Sequence, residues 1–234
     1  MGYFFFDYYY IVLVLPVIIA SLIIQARLKS IYSKYSKIAN VRNITGAQAA
    51  QMVLSYYGIH DVTVEHIAGS LSDHYDPTSK VIRLSDGVFG SSSIAAVGIA
   101  CHEAGHAAQH AEAYMPIKVR NFILPVCNIG SKLSIPLLIA GMIFSYEPLV
   151  WIGIGFFSFV AVFQLVTLPV EFNASRRAIS VIDTTDLLYD DEIGGAKKVL
   201  FAAAMTYVAS MLVALANVLR FALRILAMNS RRRD

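Results

Sequence analysis

The chain has 234 residues, of which 57% are hydrophobic and only 15% are charged, and its mean hydropathy is +0.60. Soluble domains carry about 25% charged residues, so this composition excludes an ordinary soluble protein and predicts a mainly α-helical membrane protein. The net charge of +3 is too small to indicate nucleic-acid binding. The two cysteines have no CxxC spacing, which excludes a disulfide framework and a cysteine metal site.

The first predicted element is an apolar run over about residues 8–24, preceded by four aromatic residues at positions 3–6. Aromatic residues suit a membrane interface, and the run lacks the basic start and cleavage site of a signal peptide. No acidic residue occurs between Asp7 and Asp61, whereas five basic residues follow the run: Arg27, Lys29, Lys34, Lys37 and Arg42. The positive-inside rule therefore predicts an N-terminus outside and a chain that is cytoplasmic from residue 27.

A small α+β unit is predicted next. Thr45 has the spacing to Gln48 of a capping box, and Gly58 is a typical residue just after a helix, so a helix is expected between them. Residues 62–67 fit a short strand loosely, and the stretch Asp73–Pro77 is typical of a turn. Lys80–Leu84 alternates as an edge strand does.

The helix expected at about residues 93–111 contains the motif H-E-x-x-H, from His102 to His106. On a helix the two histidines share one face, where both imidazoles can bind one Zn²⁺ ion. Glu103 stands beside them and can act as the base for the water that such an ion activates. A chance match in a chain of this length has a probability on the order of 1%, so the motif predicts one catalytic zinc.

A catalytic zinc usually has three protein ligands, and three residues compete for the third place. Glu112 would be the last ligand of a longer motif that requires glycine where Gln109 stands. His110 lies too far along the helix axis from His102. Glu171 follows a predicted spanning segment, and the positive-inside rule puts it on the cytoplasmic side with the histidines, so it is the predicted third ligand.

Residues 121–170 are predicted to form a transmembrane hairpin. Its first half is interrupted by two prolines and by Lys132, and a lysine at mid-bilayer is costly. The spanning piece is therefore expected at about 133–146, with Lys132 near the cytoplasmic surface. Residues 149–170 contain no charge over 22 positions, which is long enough to cross a bilayer.

The last apolar run, about residues 199–219, has basic residues on both flanks that disagree about its orientation. The sequence therefore predicts three or four transmembrane helices together with a small cytoplasmic α+β catalytic domain of zincin-like type. The predicted division of the chain is 1–26, a transmembrane anchor; 27–120, the catalytic part; 121–170, the hairpin; 171–198, the third-ligand segment; and 199–234, an apolar helix with a basic tail.

Five stretches carry a family resemblance: Asp73–Pro77, Ser92–Ala96, His102–His106, Glu171–Ser175 and Ala202–Ala209. Together, and in this order, they resemble the bacterial YugP-like family of membrane neutral zinc metallopeptidases. The resemblance implies a zinc peptidase of the cytoplasmic membrane, with His102, His106 and Glu171 as ligands and Glu103 as base.

The chain is also distantly similar to the HtpX/Ste24 group of membrane gluzincins. That group has E-x-x-x-D, in which the Asp orients a ligand histidine. Ser175 occupies the position of that Asp here, so the partner of the ligand histidines stays open among Asn173, Ser175 and Asp183.

Two further sets of residues are candidates for catalytic support. Tyr207, Arg177 and His74 are possible stabilisers of the transition state. Val81, Ile82 and Arg83 of the predicted edge strand could pair with an extended peptide.

The predicted function is hydrolysis of peptide bonds at the cytoplasmic membrane surface, on peptides or on exposed parts of membrane proteins. The predicted partners are such a substrate and the lipid bilayer, without nucleic acid, and the oligomeric state is left open. Two alternatives are an intramembrane protease of the site-2 type and a non-catalytic scaffold stabilised by zinc.

Overall fold

The computed structural model describes residues 7–144 and 146–230. The aromatic residues 3–6, which were predicted to lie at a membrane interface, and the tail Arg231–Arg233 lie outside the described residues. The described part is mainly helical with one small sheet. A π-helical turn at Tyr10–Val14 comes before the first helix. The elements are α1 Leu15–Tyr35, α2 Gly46–Tyr56, β1 Thr63–His66, β2 His74–Asp76, β3 Val81–Leu84, α3 Ile94–Ala111, α4 Met115–Ile143, α5 Glu147–Thr184 and α6 Asp190–Ser230.

Four helices in the described part are long and apolar enough to cross a membrane, judged by length and composition. They are α1 with its preceding turn, α4, α5 and α6. The sequence had predicted three or four such helices, and the structure supports the larger number of candidates.

The helix α4 differs from its prediction. It runs without a break from Met115 to Ile143, through Pro125, Lys132 and Pro136, whereas a separate spanning piece was expected at about 133–146. Proline removes one backbone donor and can bend a helix. However, a helix that ended at one of these prolines within the lipid would leave several backbone N–H and C=O groups unpaired. The long Lys132 side chain is exposed and can extend its ammonium group toward the interface.

The chain forms two compact units. The first consists of residues 1–25, 118–168 and 206–234, and the second of residues 26–117 and 169–205. Within the first unit, a small buried cluster joins three helices through Leu138, Val150, Ile154 and Ile225.

The second unit contains the sheet, α2, α3 and parts of α5 and α6. The predicted capping box of α2 is confirmed, because Thr45 Oγ1 accepts from the Gln48 backbone N–H and Gln48 Oε1 accepts from the Thr45 N–H. Gly58 follows the helix with a φ of +66°, a conformation that glycine adopts without steric cost. The largest fully buried core side chains of this unit include Leu54, Ile82, Leu84, Val97, Ile182 and Leu187.

The sheet has the strand order β1-β3-β2, which overturns the prediction of an edge strand at residues 80–84. Strand β3 is central, parallel to β1 and antiparallel to β2. Strand β2 lies within the predicted turn Asp73–Pro77. The turn itself follows the strand, because Asp76 Oδ1 accepts hydrogen bonds from the N–H groups of Thr78 and Ser79. Val81, Ile82 and Arg83 are thus paired on both sides within the protein, so the predicted pairing of this strand with a substrate is wrong.

The helix α3 confirms the prediction at residues 93–111. The hydroxyl of Ser93 accepts from the Ala96 N–H and caps the first turn. Its small residues allow close packing on α5: a Cβ atom on Gly105 would lie 2.8 Å from the carbonyl oxygen of Ala174. This approach brings the helix that contains His102 and His106 next to the helix that contains Glu171.

Candidate metal centre

Three predicted side chains meet inside the second unit: His102 and His106 from α3, and Glu171 from α5. One ligand atom of each lies within 4.8 Å of the other two. Glu171 Oε2 is 3.3 Å from His102 Nε2 and 3.6 Å from His106 Nε2. Among the described residues, these three form the one group of histidine, cysteine and carboxylate side chains close enough to bind a metal ion.

The donor set fits zinc. Two imidazoles and one glutamate are the ligands of a known class of catalytic zinc site, with Zn–N and Zn–O distances of about 2.0–2.2 Å. In a tetrahedron of that size the ligand atoms lie about 3.4 Å apart, and the two N–O distances in this site are 3.3 and 3.6 Å.

The burial of the group also favours a cation. Glu171 is only 3% exposed and His106 only 8%, and among the ion pairs of the described residues Glu171 has no lysine or arginine partner. A buried carboxylate without a compensating charge is costly. Burial by itself lowers the pKa of His106, but the carboxylates of Glu171 and Glu103 outweigh that effect, so the pKa is raised.

The far side of each imidazole has a hydrogen-bonding partner. Ser175 Oγ lies 3.1 Å from His102 Nδ1, one helical turn after Glu171. Gln109 Oε1 lies 3.0 Å from His106 Nδ1. Of the three candidates from the sequence, Ser175 therefore contacts a histidine directly, and Asn173 reaches one through Gln109. Asp183 lies two turns farther along α5.

Gln109 was not among the predicted partners. The available signal was its position three residues after His106, which puts both side chains on neighbouring positions of one helix face. The sequence showed Gln109 only as a departure from a longer zinc motif, and its contacts with α5 depend on the packing of the two helices.

Glu103 points toward strand β2. Its Oε2 accepts a hydrogen bond from the backbone N–H of Tyr75, at 3.0 Å, and the side chain is partly exposed. A carboxylate in this position, next to His102 in sequence and partly exposed to solvent, can exchange a proton with a water molecule.

The three candidate stabilisers of the transition state lie in different environments. Arg177 pairs with Glu112 at 2.7 Å and donates to Asn173 at 2.8 Å, and these bonds argue against the predicted role. His74 is exposed, with Nδ1 2.7 Å from the carbonyl oxygen of Ser72. Tyr207 lies on α6 in the first unit. The roles of His74 and Tyr207 stay predictions.

The other titratable residues in α3, and Glu112 just after it, do not join the group. His110 is exposed and lies near the ring of Tyr75, at 6.1 Å between ring centroids. Glu112 pairs with Arg177, and this hydrogen bond lowers the pKa of the Glu112 carboxyl. Cys101 is fully buried, and burial raises the pKa of its thiol.

Comparisons with known proteins point in the same direction. The family model described as "Putative neutral zinc metallopeptidase" matches residues 10–226. The chain is 44% identical over 197 residues to "Putative membrane protease YugP" of Bacillus subtilis (strain 168), and the match covers 84% of this chain and 88% of that protein. No solved structure matches the chain.

Proposed function

The chain belongs to the family described as neutral zinc metallopeptidases, and from this premise we propose that it is a membrane-embedded, gluzincin-type zinc endopeptidase. One observation carries the proposal: the ligand atoms of His102, His106 and Glu171, two of them in an H-E-x-x-H sequence, lie within 4.8 Å of one another. These three residues are the proposed ligands of one Zn²⁺ ion.

The proposed mechanism assigns a task to each side chain. Zinc, when bound, supplies a Lewis acid that polarises the peptide carbonyl and acidifies water. Glu103 takes a proton from the attacking water and later delivers it to the leaving amine. Its hydrogen bond from the Tyr75 N–H, at 3.0 Å, holds the carboxylate next to strand β2. Ser175 holds the imidazole of His102 through Nδ1.

We further propose that the site lies at the cytoplasmic surface of a bacterial membrane. Helix α5 has 38 residues, about 57 Å at 1.5 Å per residue, whereas the hydrocarbon core is about 30 Å thick. The uncharged residues 149–170 can therefore cross the bilayer while Glu171 lies beyond it. The positive-inside rule supports the cytoplasmic side. A site inside the bilayer would instead favour the site-2 type of protease.

We propose that the catalytic part, residues 27–120, and the third-ligand segment, residues 171–198, form one domain. The second compact unit supports this proposal, because it consists of residues 26–117 and 169–205. Peptides near the bilayer, or exposed ends of membrane proteins, are the proposed substrates.

The Glu103→Gln variant tests the mechanism. It should retain zinc, measured by elemental analysis of the detergent-solubilised protein, and lose at least about 100-fold in cleavage of a fluorogenic peptide, the usual scale of acid–base catalysis. Glu65→Gln is the matched control, since Glu65 is exposed on β1, and it should retain activity. Full activity in Glu103→Gln would contradict the proposed mechanism.

A further inference from the structure

A series of hydrogen-bonded side chains leads from His106 through Gln109 to Asn173 and Arg177 on α5. Gln109 Oε1 lies 3.0 Å from His106 Nδ1, and Gln109 Nε2 lies 2.9 Å from Asn173 Oδ1. Asn173 Oδ1 also accepts from Arg177 Nε at 2.8 Å. Arg177 in turn binds Glu112 at 2.7 Å.

Arg177 determines which atoms donate and which accept in this series of hydrogen bonds. A guanidinium group contains only hydrogen-bond donors, so the Asn173 atom that faces Arg177 Nε must be the amide oxygen. The guanidinium is itself held by Glu112 and lies over the rings of Tyr57 and Tyr114, at 5.7 and 5.9 Å from their centroids. The oxygen of Asn173 is therefore presented to Gln109 as an acceptor.

The orientation of Gln109 follows from two independent acceptors. Its Nε2 lies 2.9 Å from that Asn173 oxygen and 2.8 Å from the backbone carbonyl oxygen of Val170. The side chain is fully buried, so a flipped amide would place its oxygen against two other oxygens without water to compensate. The oxygen of Gln109 must therefore face His106 Nδ1.

The proton of a neutral His106 then resides on Nδ1, which donates to Gln109, and the lone pair on Nε2 faces Glu171. This is the tautomer that ligates a metal through Nε2. We propose that Gln109 is a positioning residue that holds His106 in its zinc-binding tautomer, and that Asn173 and Arg177 determine the orientation of Gln109. The inference rests on the proposed zinc peptidase function.

The two histidines differ in whether a hydrogen-bonding partner determines their tautomer. His102 Nδ1 faces the hydroxyl of Ser175, and a hydroxyl can either donate or accept. Ser175 therefore holds the ring of His102 in place without selecting its tautomer. The selection operates at His106 alone, through an amide that other groups keep from rotating.

The test measures Zn²⁺ affinity of the full-length protein in detergent, by competition with a chromophoric chelator. Gln109→Met keeps the volume and removes every hydrogen bond of the side chain. It should weaken Zn²⁺ binding by about 10–100-fold, the usual cost of losing a partner of a ligand histidine. The matched control, Gln51→Leu on the exposed face of α2, should leave the affinity unchanged.

A second pair of variants separates polarity from packing. Asn173→Asp retains an oxygen that accepts from both Arg177 and Gln109, so its Zn²⁺ affinity should stay within about threefold of wild type. Asn173→Leu removes that acceptor and should weaken binding about as much as Gln109→Met. Asn173 is partly exposed, and circular dichroism of each variant checks that it folds. The visible spectrum of bound Co²⁺ should change in the weakened variants and stay unchanged in Asn173→Asp.

The outcomes are distinct. Wild-type Zn²⁺ affinity in a folded Gln109→Met protein, or equal losses in Asn173→Asp and Asn173→Leu, would overturn the inference and leave the proposed function intact. A wild-type protein that does not bind Zn²⁺ would overturn the proposed function and the inference with it.

Discussion

At the scale of single residues, the decisive side chain is Glu171. A buried carboxylate requires a proton or a cation to compensate its charge, and its partners among the described residues are His102 and His106. Both imidazoles are also the proposed ligands, so a metal ion at their meeting point would satisfy all three groups at once. Glu112 differs, because it is half exposed and pairs with Arg177.

Replacement of Glu171 by Gln should therefore weaken Zn²⁺ binding by more than about 100-fold, since loss of an outer partner alone costs 10–100-fold. Elemental analysis after dialysis against a chelator measures the retained metal. Glu112→Gln is the control and should retain zinc, because its carboxylate contacts Arg177 and not the two histidines. Zinc retained by Glu171→Gln would exclude the gluzincin ligand set.

At the scale of elements, the site depends on how closely α3 approaches α5. Gly105 lies within the H-E-x-x-H sequence and touches the backbone of Ala174, the residue before Ser175. A larger residue would force the two helices apart and would carry Glu171 and Ser175 away from the histidines. Glycine is costly in a helix interior, and the close contact is the physical reason for it here.

We expect Gly105→Ala to destabilise the protein by about 1–3 kcal/mol through overpacking, even though alanine favours helix by about 1 kcal/mol. Thermal unfolding in detergent, followed by circular dichroism, measures the change, and Zn²⁺ affinity should fall in parallel. Gly194→Ala is the control, since nothing lies within 4 Å of a Cβ at that position on α6. An unchanged melting temperature in Gly105→Ala would show that the helices can separate without cost.

At the scale of the whole molecule, two ion pairs that share Asp7 bear on the membrane topology. In the first unit, Asp7 binds Arg220 at 3.1 Å and Arg224 at 2.8 Å. Asp7 precedes α1, and both arginines lie near the end of α6. Asp7 and the C-terminal part of α6 must therefore lie on the same side of the membrane, which requires an even number of crossings between them. With four candidate helices, this favours four spans.

The same contacts weaken the charge signal at this end of α6. The single carboxylate of Asp7 offsets one of the two positive charges of Arg220 and Arg224, so these arginines are a weaker signal for a cytoplasmic location than two unpaired cations. We therefore expect single cysteines introduced at Gly2 and at Asp234 to react with a membrane-impermeant maleimide in intact cells. Ser79→Cys, in the exposed turn before β3, should react only after permeabilisation. Labelling of one chain end alone would exclude four spans.

Local patterns in the sequence were enough to predict the helices near the site. The capping box at Thr45, the serine cap at Ser93 and the i, i+4 spacing of His102 and His106 depend on neighbours within one or two turns, so they are visible in the sequence. The composition likewise predicted a helical membrane protein. The choice of Glu171 used the side of the membrane and the family resemblance, and the structure places it beside the histidines.

Only the tertiary structure determined the arrangements that join distant parts of the chain. Three of these arrangements produce no periodic pattern in the sequence. They are the pairing of β3 with both neighbouring strands, the contact of Gln109 with Asn173, and the binding of Asp7 to Arg220 across 213 positions. Each depends on which surfaces pack together and on which polar groups are thereby removed from water. A buried donor or acceptor must then pair with a group that the packing places beside it.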